Sequence, residues 1–243
     1  MENLTRTVER LHRKAEQASL INSGQLIRYD CEDCQDSGWR VVVGEGATRC
    51  QCLTNRIRAR ALARIPAIYR THSLASLTAD VARHPKQARL IEAMRAKPDG
   101  SYLLFGKNGC GKSMLGWVLY RDAIESGRIA VGVMLSDLLA QFRAWERDND
   151  KLPMVTANDL RTDKRRYFVF LDELEKARPS EYAAEMLFQL VDAVYSNGHQ
   201  LVITSNLRPD QLREHWSVNG EVYGPSILRR ILEIEGGAFV DLF

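Results

Sequence analysis

The stretch GKNGCGKS, Gly106 to Ser113, decides the fold. It matches G-x-x-x-x-G-K-[ST] and lies between an apolar run, SYLLF (101–105), and a helical run, MLGWVLYRDAIES (114–126). Glycines at this spacing let the backbone wrap a phosphate chain, with its amides aimed inward at the start of a helix, where the dipole also favours an anion. The predicted cradle is Gly106, Lys107, Asn108, Gly109, Cys110, Gly111, Lys112 and Ser113. Lys112 reaches the β and γ phosphates of ATP, and Ser113 offers a hydroxyl to Mg2+. Cys110 sits inside the loop as a passive side chain.

Working outward, short apolar runs alternate with helical patterns: SYLLF, IAVGVML (129–135), YFVFL (167–171), QLVIT (200–204) and AFVDL (238–242). That alternation predicts an α/β fold with a parallel sheet covered by helices on both faces. Ser136 and Asp137 are expected to cap the helix after the second run, and Gly198 to stop the helix that begins near Pro179. Residues 147–165 are polar and read as a surface loop or a broken helix. YFVFLDE ends in Asp172 and Glu173, the second half of a hydrolytic site: Asp172 holds Mg2+ through water, and Glu173 orients or deprotonates the attacking water. QLVIT delivers Thr204, Ser205 and Asn206 at a strand end, where a polar side chain can report on the γ phosphate. Ligands of open α/β sheets sit at the carboxyl ends of strands, so the three segments should converge on one crevice.

Four of the five cysteines precede this core. Cys31, Cys34, Cys50 and Cys52 read C-x2-C-x15-C-x-C, a spacing that suits four thiolates around one structural Zn2+ better than two disulfides in a reducing compartment. A single residue between Cys50 and Cys52 requires a turn, because a strand would aim their sulfurs apart. The start of the chain, residues 2–20, has the period of an amphipathic helix, and LTNRIRARALARI (53–65) returns to that period until Pro66.

The chain has 243 residues, 45% hydrophobic and 27% charged, with 16 Gly and 7 Pro, which excludes collagen-like and wholly disordered classes. No apolar run nears the ~20 residues that span a bilayer, and the charged start does not resemble a secretory signal, so a cytoplasmic protein with no membrane partner is expected. The 34 basic and 31 acidic residues leave a net charge of +3, too small for a general polycation. The basic charge is local: Arg56, Arg58, Arg60, Arg64 and Arg70 follow Leu53 with no acid among them. They suit DNA phosphates or an acidic protein face equally. Phe142 and Trp145 are weak candidates for a base-stacking platform and read better as core.

GKNGCGKS, FLDE and ITSN, in this order, resemble the AAA+ ATPases of the helicase-loader type, the DnaC and DnaI proteins, together with the related IstB transposition ATPases. The resemblance implies that Asn206 is the first sensor. It implies an arginine finger in GPSILRRILEI (224–234), with Arg230 the better candidate and Arg229 the second, and hence self-association through the ATP site. CEDCQDSGW and RCQC are similar to the amino-terminal zinc module of DnaI-like loaders. RIPAIYR (64–70) is similar to the segment that links module and core, with Tyr69 near the base. The implied organisation is a helical and zinc-binding module at 1–65, a linker at 66–100, and an AAA+ P-loop domain at 101–243 without a helical lid. The implied function is ATP-dependent loading of the hexameric replicative helicase, with single-stranded DNA as a further partner. A transposition helper ATPase and a zinc-bearing nucleic-acid adaptor with little turnover are the alternatives.

Overall fold

In the computed structural model, residues 29–42, 46–78, 85–148, 151–218, 223–234 and 238–242 are described. The helix expected over residues 2–20 lies outside them. The chain divides into two compact units, Met1–Arg56 and Ile57–Phe243.

The described part of the first unit is a cysteine-bearing turn followed by a hairpin of β1 (Trp39–Val42) and β2 (Gly46–Arg49), paired antiparallel with Trp39 opposite Arg49. Helix α1 (Gln51–Ala63) begins directly after Cys50. None of its residues is buried. Its carboxyl end is closed in the second unit by Arg70, which donates from Nε to the Ile65 carbonyl at 2.8 Å and from a terminal nitrogen to the Ala63 carbonyl at 3.0 Å. Arg70 therefore serves as a cap for carbonyls left over at a helix end.

The second unit is built on a five-stranded parallel sheet of order β4-β5-β6-β3-β7. The strands are β3 (Tyr102–Phe105), β4 (Ile129–Met134), β5 (Tyr167–Asp172), β6 (Gln200–Ser205) and β7 (Ala238–Asp241), one for each apolar run of the sequence. Near-continuous apolar strands are what a parallel sheet buried on both faces requires. Alternate side chains serve two cores. Leu103, Phe105, Val169, Leu171, Leu201 and Ile203 face one, while Tyr102, Leu104, Phe168, Phe170 and Val202 face the other.

The first core is covered by α4 (Leu135–Arg147), α5 (Ala157–Thr162), α6 (Glu181–Ser196), α7 (Pro209–His215) and α8 (Tyr223–Glu233). Phe142 is buried in it and Trp145 packs against it, so both are core residues. The second core is covered by α2 (Pro85–Ala96) and α3 (Lys112–Glu125).

The helix boundaries follow local chemistry. Ser180 caps α6 by accepting from the Ala183 amide, and Gly198, at φ 64°, lies just beyond its end as expected. The polar stretch before β5 is a broken helix, with α5 opened by a reciprocal Thr156–Asp159 capping box. The expected cap at Ser136 and Asp137 is not found. The chain turns from β4 straight into α4 with Met134 at the cap position and no side-chain bond, so these two polar residues fall inside the first turn. Asp137 there still complements the positive end of the helix dipole.

Helix α3 lies unusually close to β5 because of Gly116. A β-carbon at that position would sit 2.2 Å from Cζ of Phe170, a fully buried ring held edge-on against Trp117. Gly116→Ala is expected to destabilise the protein by about 1–3 kcal/mol in denaturant titration, overpacking outweighing the better helix propensity of alanine. A variant as stable as wild type would show that α3 can slide without loss.

Candidate functional site

The loop after β3 closes a phosphate-sized cradle through its glycines. Gly109 and Gly111 adopt φ of 80° and 91°, a left-handed backbone available at little cost only without a side chain. Gly111 is the residue from which α3 departs, so the free amides of the first turn of α3 face the loop. Two neighbours hold the loop in place. Gln87 of α2 donates to the Cys110 carbonyl at 2.6 Å, and the Gly106 amide donates to the Ser205 carbonyl at 3.2 Å.

Lys112 is 92% buried, and its ammonium group donates to the carbonyls of Gly106 and Lys107, each at 2.8 Å, and to Asn206 Oδ1 at 2.9 Å. Its Nζ also lies 3.7 Å from Cys110 Sγ. These three oxygens are neutral, so a buried cation here is hydrogen-bonded with no anion among those partners. Strand order explains the reach to Asn206: β6 lies beside β3, between the loop strand and the acidic strand β5.

At the end of β5, Asp172 is buried and accepts two hydroxyl bonds on Oδ1, from Ser113 at 2.8 Å and from Thr204 at 2.5 Å. Burial pushes the Asp172 carboxyl above the usual carboxylate value, while the Thr204 and Ser113 hydroxyls pull the other way. Thr204 also accepts the Glu173 amide at 2.8 Å and is fully buried. It braces the two acids and lines the same cavity as Ser205 and Asn206.

Glu173 turns out of the strand with φ 53°, a left-handed conformation that a non-glycine residue adopts at a cost of about 1 kcal/mol or more. Its carboxylate enters the same cavity and pairs with Lys176 at 2.5 Å, an interaction that raises the lysine's pKa. The cavity has a volume of about 400 Å³, and Tyr69, Met114, Glu173, Ser205 and Asn206 are among the residues that line it. Burial, with the Asp172 and Glu173 charges, pushes the Tyr69 hydroxyl up.

The structure thus brings together the loop, Lys112, Ser113, Asp172, Glu173, Asn206 and Tyr69. Glu175 also lines the cavity and was not expected. The only trace of it in the sequence is a third acid two residues beyond the pair, in LDELEK, brought round by a short 3-10 turn over Leu174–Lys176.

Arg230 and Arg229 lie on α8, where their surroundings differ. Arg230 donates to Asp192 of α6 at 2.8 Å, sits over the Tyr195 ring at 5.0 Å, and leaves 26% of its side chain exposed. Among the described residues, Arg229 pairs along its own helix, with Glu233 at 3.0 Å, and it is 67% exposed.

In the first unit the four cysteine sulfurs lie within 4.8 Å of one another, with Cys31 to Cys50 at 3.7 Å and Cys34 to Cys52 at 3.3 Å. Four thiolates at about 2.3 Å from one tetrahedral Zn2+ stand roughly 3.8 Å apart, so the residues fit that ion. The required turn between Cys50 and Cys52 is the first turn of α1. The Gly38 amide donates to Cys34 Sγ at 3.4 Å, which favours a thiolate. Asp36 shapes the knuckle by accepting the Asp30 and Cys31 amides at 3.2 and 3.0 Å.

No family model matches the chain. It is 23% identical over 164 residues to the chromosomal replication initiator protein DnaA of Helicobacter hepaticus, a match covering 63% of this chain and 35% of that protein. Its fold is similar to the crystal structure of the DnaC helicase loader, at TM-score 0.57 and 16% identity over 73% of this chain and 100% of that one. It is also similar to DnaI, at 0.54 and 18% over 74% and 92%, and to DnaA bound to AMPPCP and single-stranded DNA, at 0.55 and 15% over 74% and 51%. The chain therefore has the parallel α/β fold of these solved structures. Among the described residues no helix is long and apolar enough to cross a membrane.

Two outcomes follow from this geometry. Because the folded-state pKa of Asp172 is raised, its ionisation disfavours the fold. That penalty is absent below the usual carboxylate value of ~3.9 and complete above the raised one. The melting temperature of the nucleotide-free Asp172→Asn variant, measured relative to wild type, is expected to climb as pH rises across that window and then to level off. A flat difference would remove the assigned burial penalty. Metal analysis of the purified chain is expected to find one zinc per chain, lost on Cys50→Ser substitution; a metal-free, folded wild type would reject the ligand set.

Proposed function

We propose that this chain is an ATPase of the replicative helicase-loader type. The observation that carries the reading is the buried, anion-seeking Lys112, set within one crevice with Ser113, Asp172, Glu173 and Asn206 on a fold similar to the DnaC loader along that structure's whole length. The phosphates of ATP replace the loop carbonyls and Asn206 around Lys112. Ser113 and Asp172 would hold Mg2+, which supplies charge neutralisation across the β and γ phosphates. Glu173 leaves Lys176 to orient and deprotonate the attacking water. Asn206 addresses the γ phosphate.

The arginine that completes the site comes from α8 of an adjoining copy, because a fixed guanidinium fork neutralises charge building on the transferred phosphoryl group. Arg230, favoured by position in the sequence, must first exchange Asp192 and Tyr195 for phosphate, whereas Arg229 needs only to leave Glu233. Arg229 is therefore the better placed of the two, and Arg230 fixes α8 on α6. The cysteine unit, holding Zn2+, is the grip on the hexameric helicase, and single-stranded DNA is the second partner. A cytoplasmic setting follows from the reduced thiols this requires.

Glu173→Gln is expected to keep ATP binding and to lower turnover at least about 100-fold, the range for loss of a general base. Retained hydrolysis would remove the assigned base. In the assembled protein Arg229→Ala should lower hydrolysis with nucleotide affinity nearly intact, while Arg230→Ala should also lower the melting temperature. A lone kinetic effect of Arg230→Ala would return the finger to that residue. Co-purification of the tagged chain with ATP present tests the partner: the replicative helicase is expected, and recovery of a transposase instead would overturn the loader reading.

A further inference from the structure

Glu175 is held at both oxygens by residues of the β6 end. Asn206 Nδ2 donates to Oε1 at 2.6 Å and Ser205 Oγ donates to Oε2 at 2.9 Å. The other end of the same amide, Asn206 Oδ1, accepts from Lys112 at 2.9 Å. Chemistry fixes which way this amide points, because an ammonium group can only donate and a carboxylate can only accept. The order of contacts is therefore Lys112 to Asn206 to Glu175, with Ser205 bracing the carboxylate from behind. The Leu207 amide in turn donates to Ser205 Oγ at 3.1 Å, which keeps that hydroxyl aimed at Glu175.

An asparagine that recognises a phosphate must offer its NH2 group, since phosphate oxygens accept. In this structure Glu175 holds one of the two N–H bonds of that group and so sets where it points. A bound third phosphate and the Glu175 carboxylate then compete for the orientation of one NH2 group, and both are anions facing the same cavity. A diphosphate lacks the group that competes. Lys112 is affected by either nucleotide, because its ammonium group reaches the phosphates that both carry.

We propose that Glu175 is a positioning residue that holds the Asn206 amide away from the nucleotide until a third phosphate displaces it, so that triphosphate binding, unlike diphosphate binding, releases Glu175. The proposal rests on the nucleotide reading given above and deepens it. Triphosphate affinity is lowered by the latch and diphosphate affinity is not. The freed carboxylate, on the 3-10 turn that also carries Lys176, is the local difference between the two states of the site.

The test measures affinity for AMPPCP and for ADP by calorimetry on the full chain, as wild type, Glu175→Gln, and Glu175→Gln combined with Asn206→Ala. Glutamine keeps the shape and replaces a charge-assisted bond by a weaker neutral one. The expected result is a ratio of AMPPCP to ADP affinity about tenfold higher in Glu175→Gln than in wild type, with the rise absent once Asn206 is alanine. A purely structural role would move both affinities together, together with the melting temperature. An unchanged ratio in folded Glu175→Gln, or the same rise without Asn206, overturns the latch. Should Glu175→Gln fail to fold, Ser205→Ala loosens the same carboxylate from its other oxygen, and a ratio raised about two- to threefold is expected. No rise there overturns the proposal. A wild type that binds neither nucleotide overturns the reading of the site itself, a result distinct from binding both with an unaltered ratio.

Discussion

A cation almost wholly removed from water, its ammonium group bonded to three neutral oxygens beside the Cys110 sulfur, is the constraint around which the second unit is arranged. Desolvating the charge on Lys112 is expensive unless every proton finds an acceptor, and the three acceptors come from places far apart in the chain. Two are carbonyls of the glycine-bearing loop after β3. The third is a side chain at the end of β6, which can reach only because β6 and β3 are neighbours. The order of the strands, the backbone path at Gly109 and Gly111, and the two-sided burial of the sheet all hold this charge in the crevice.

The acidic half of the site depends on the same adjacency. Asp172 ends β5, Thr204 lies near the end of β6, and Ser113 starts α3, so one carboxylate oxygen ties three elements together. Burial works against its charge, and the two hydroxyls work for it. Among the described residues, Asp172 is held by hydroxyls with no cation bonded to it, and Lys112, the chain neighbour of Ser113, is a cation with no anion bonded to it. Such opposed, unneutralised charges are what the proposed uptake of a metal–phosphate complex would use.

Much of this was legible in the sequence because the signals were local. The five apolar runs became the five strands, and the loop motif between a strand and a helix fixed where the crevice lies. The cysteine spacing required a turn that the start of α1 supplies. What was not legible depended on contacts between distant segments. Nothing in LDELEK tells which of its acids bonds to Asn206, since that is set by a 3-10 turn meeting the end of β6. The role of Arg70 is invisible in a run of arginines until the end of α1 is seen beside it. Ser136 and Asp137 looked like caps because polar residues there usually are, but the strand turned into the helix two residues early. The need for glycine at position 116 appears only once Phe170 is packed against it.

The left-handed backbone at Glu173 carries a lesson for how such a chain would drift. Glycine or asparagine would sit there with less strain, so a lineage, or a laboratory library, rewarded only for heat resistance would tend to discard the acid at that place. The chemistry and the durability of the fold pull on one codon in opposite directions. A glutamate there is what the proposed role of Glu173 as base would require.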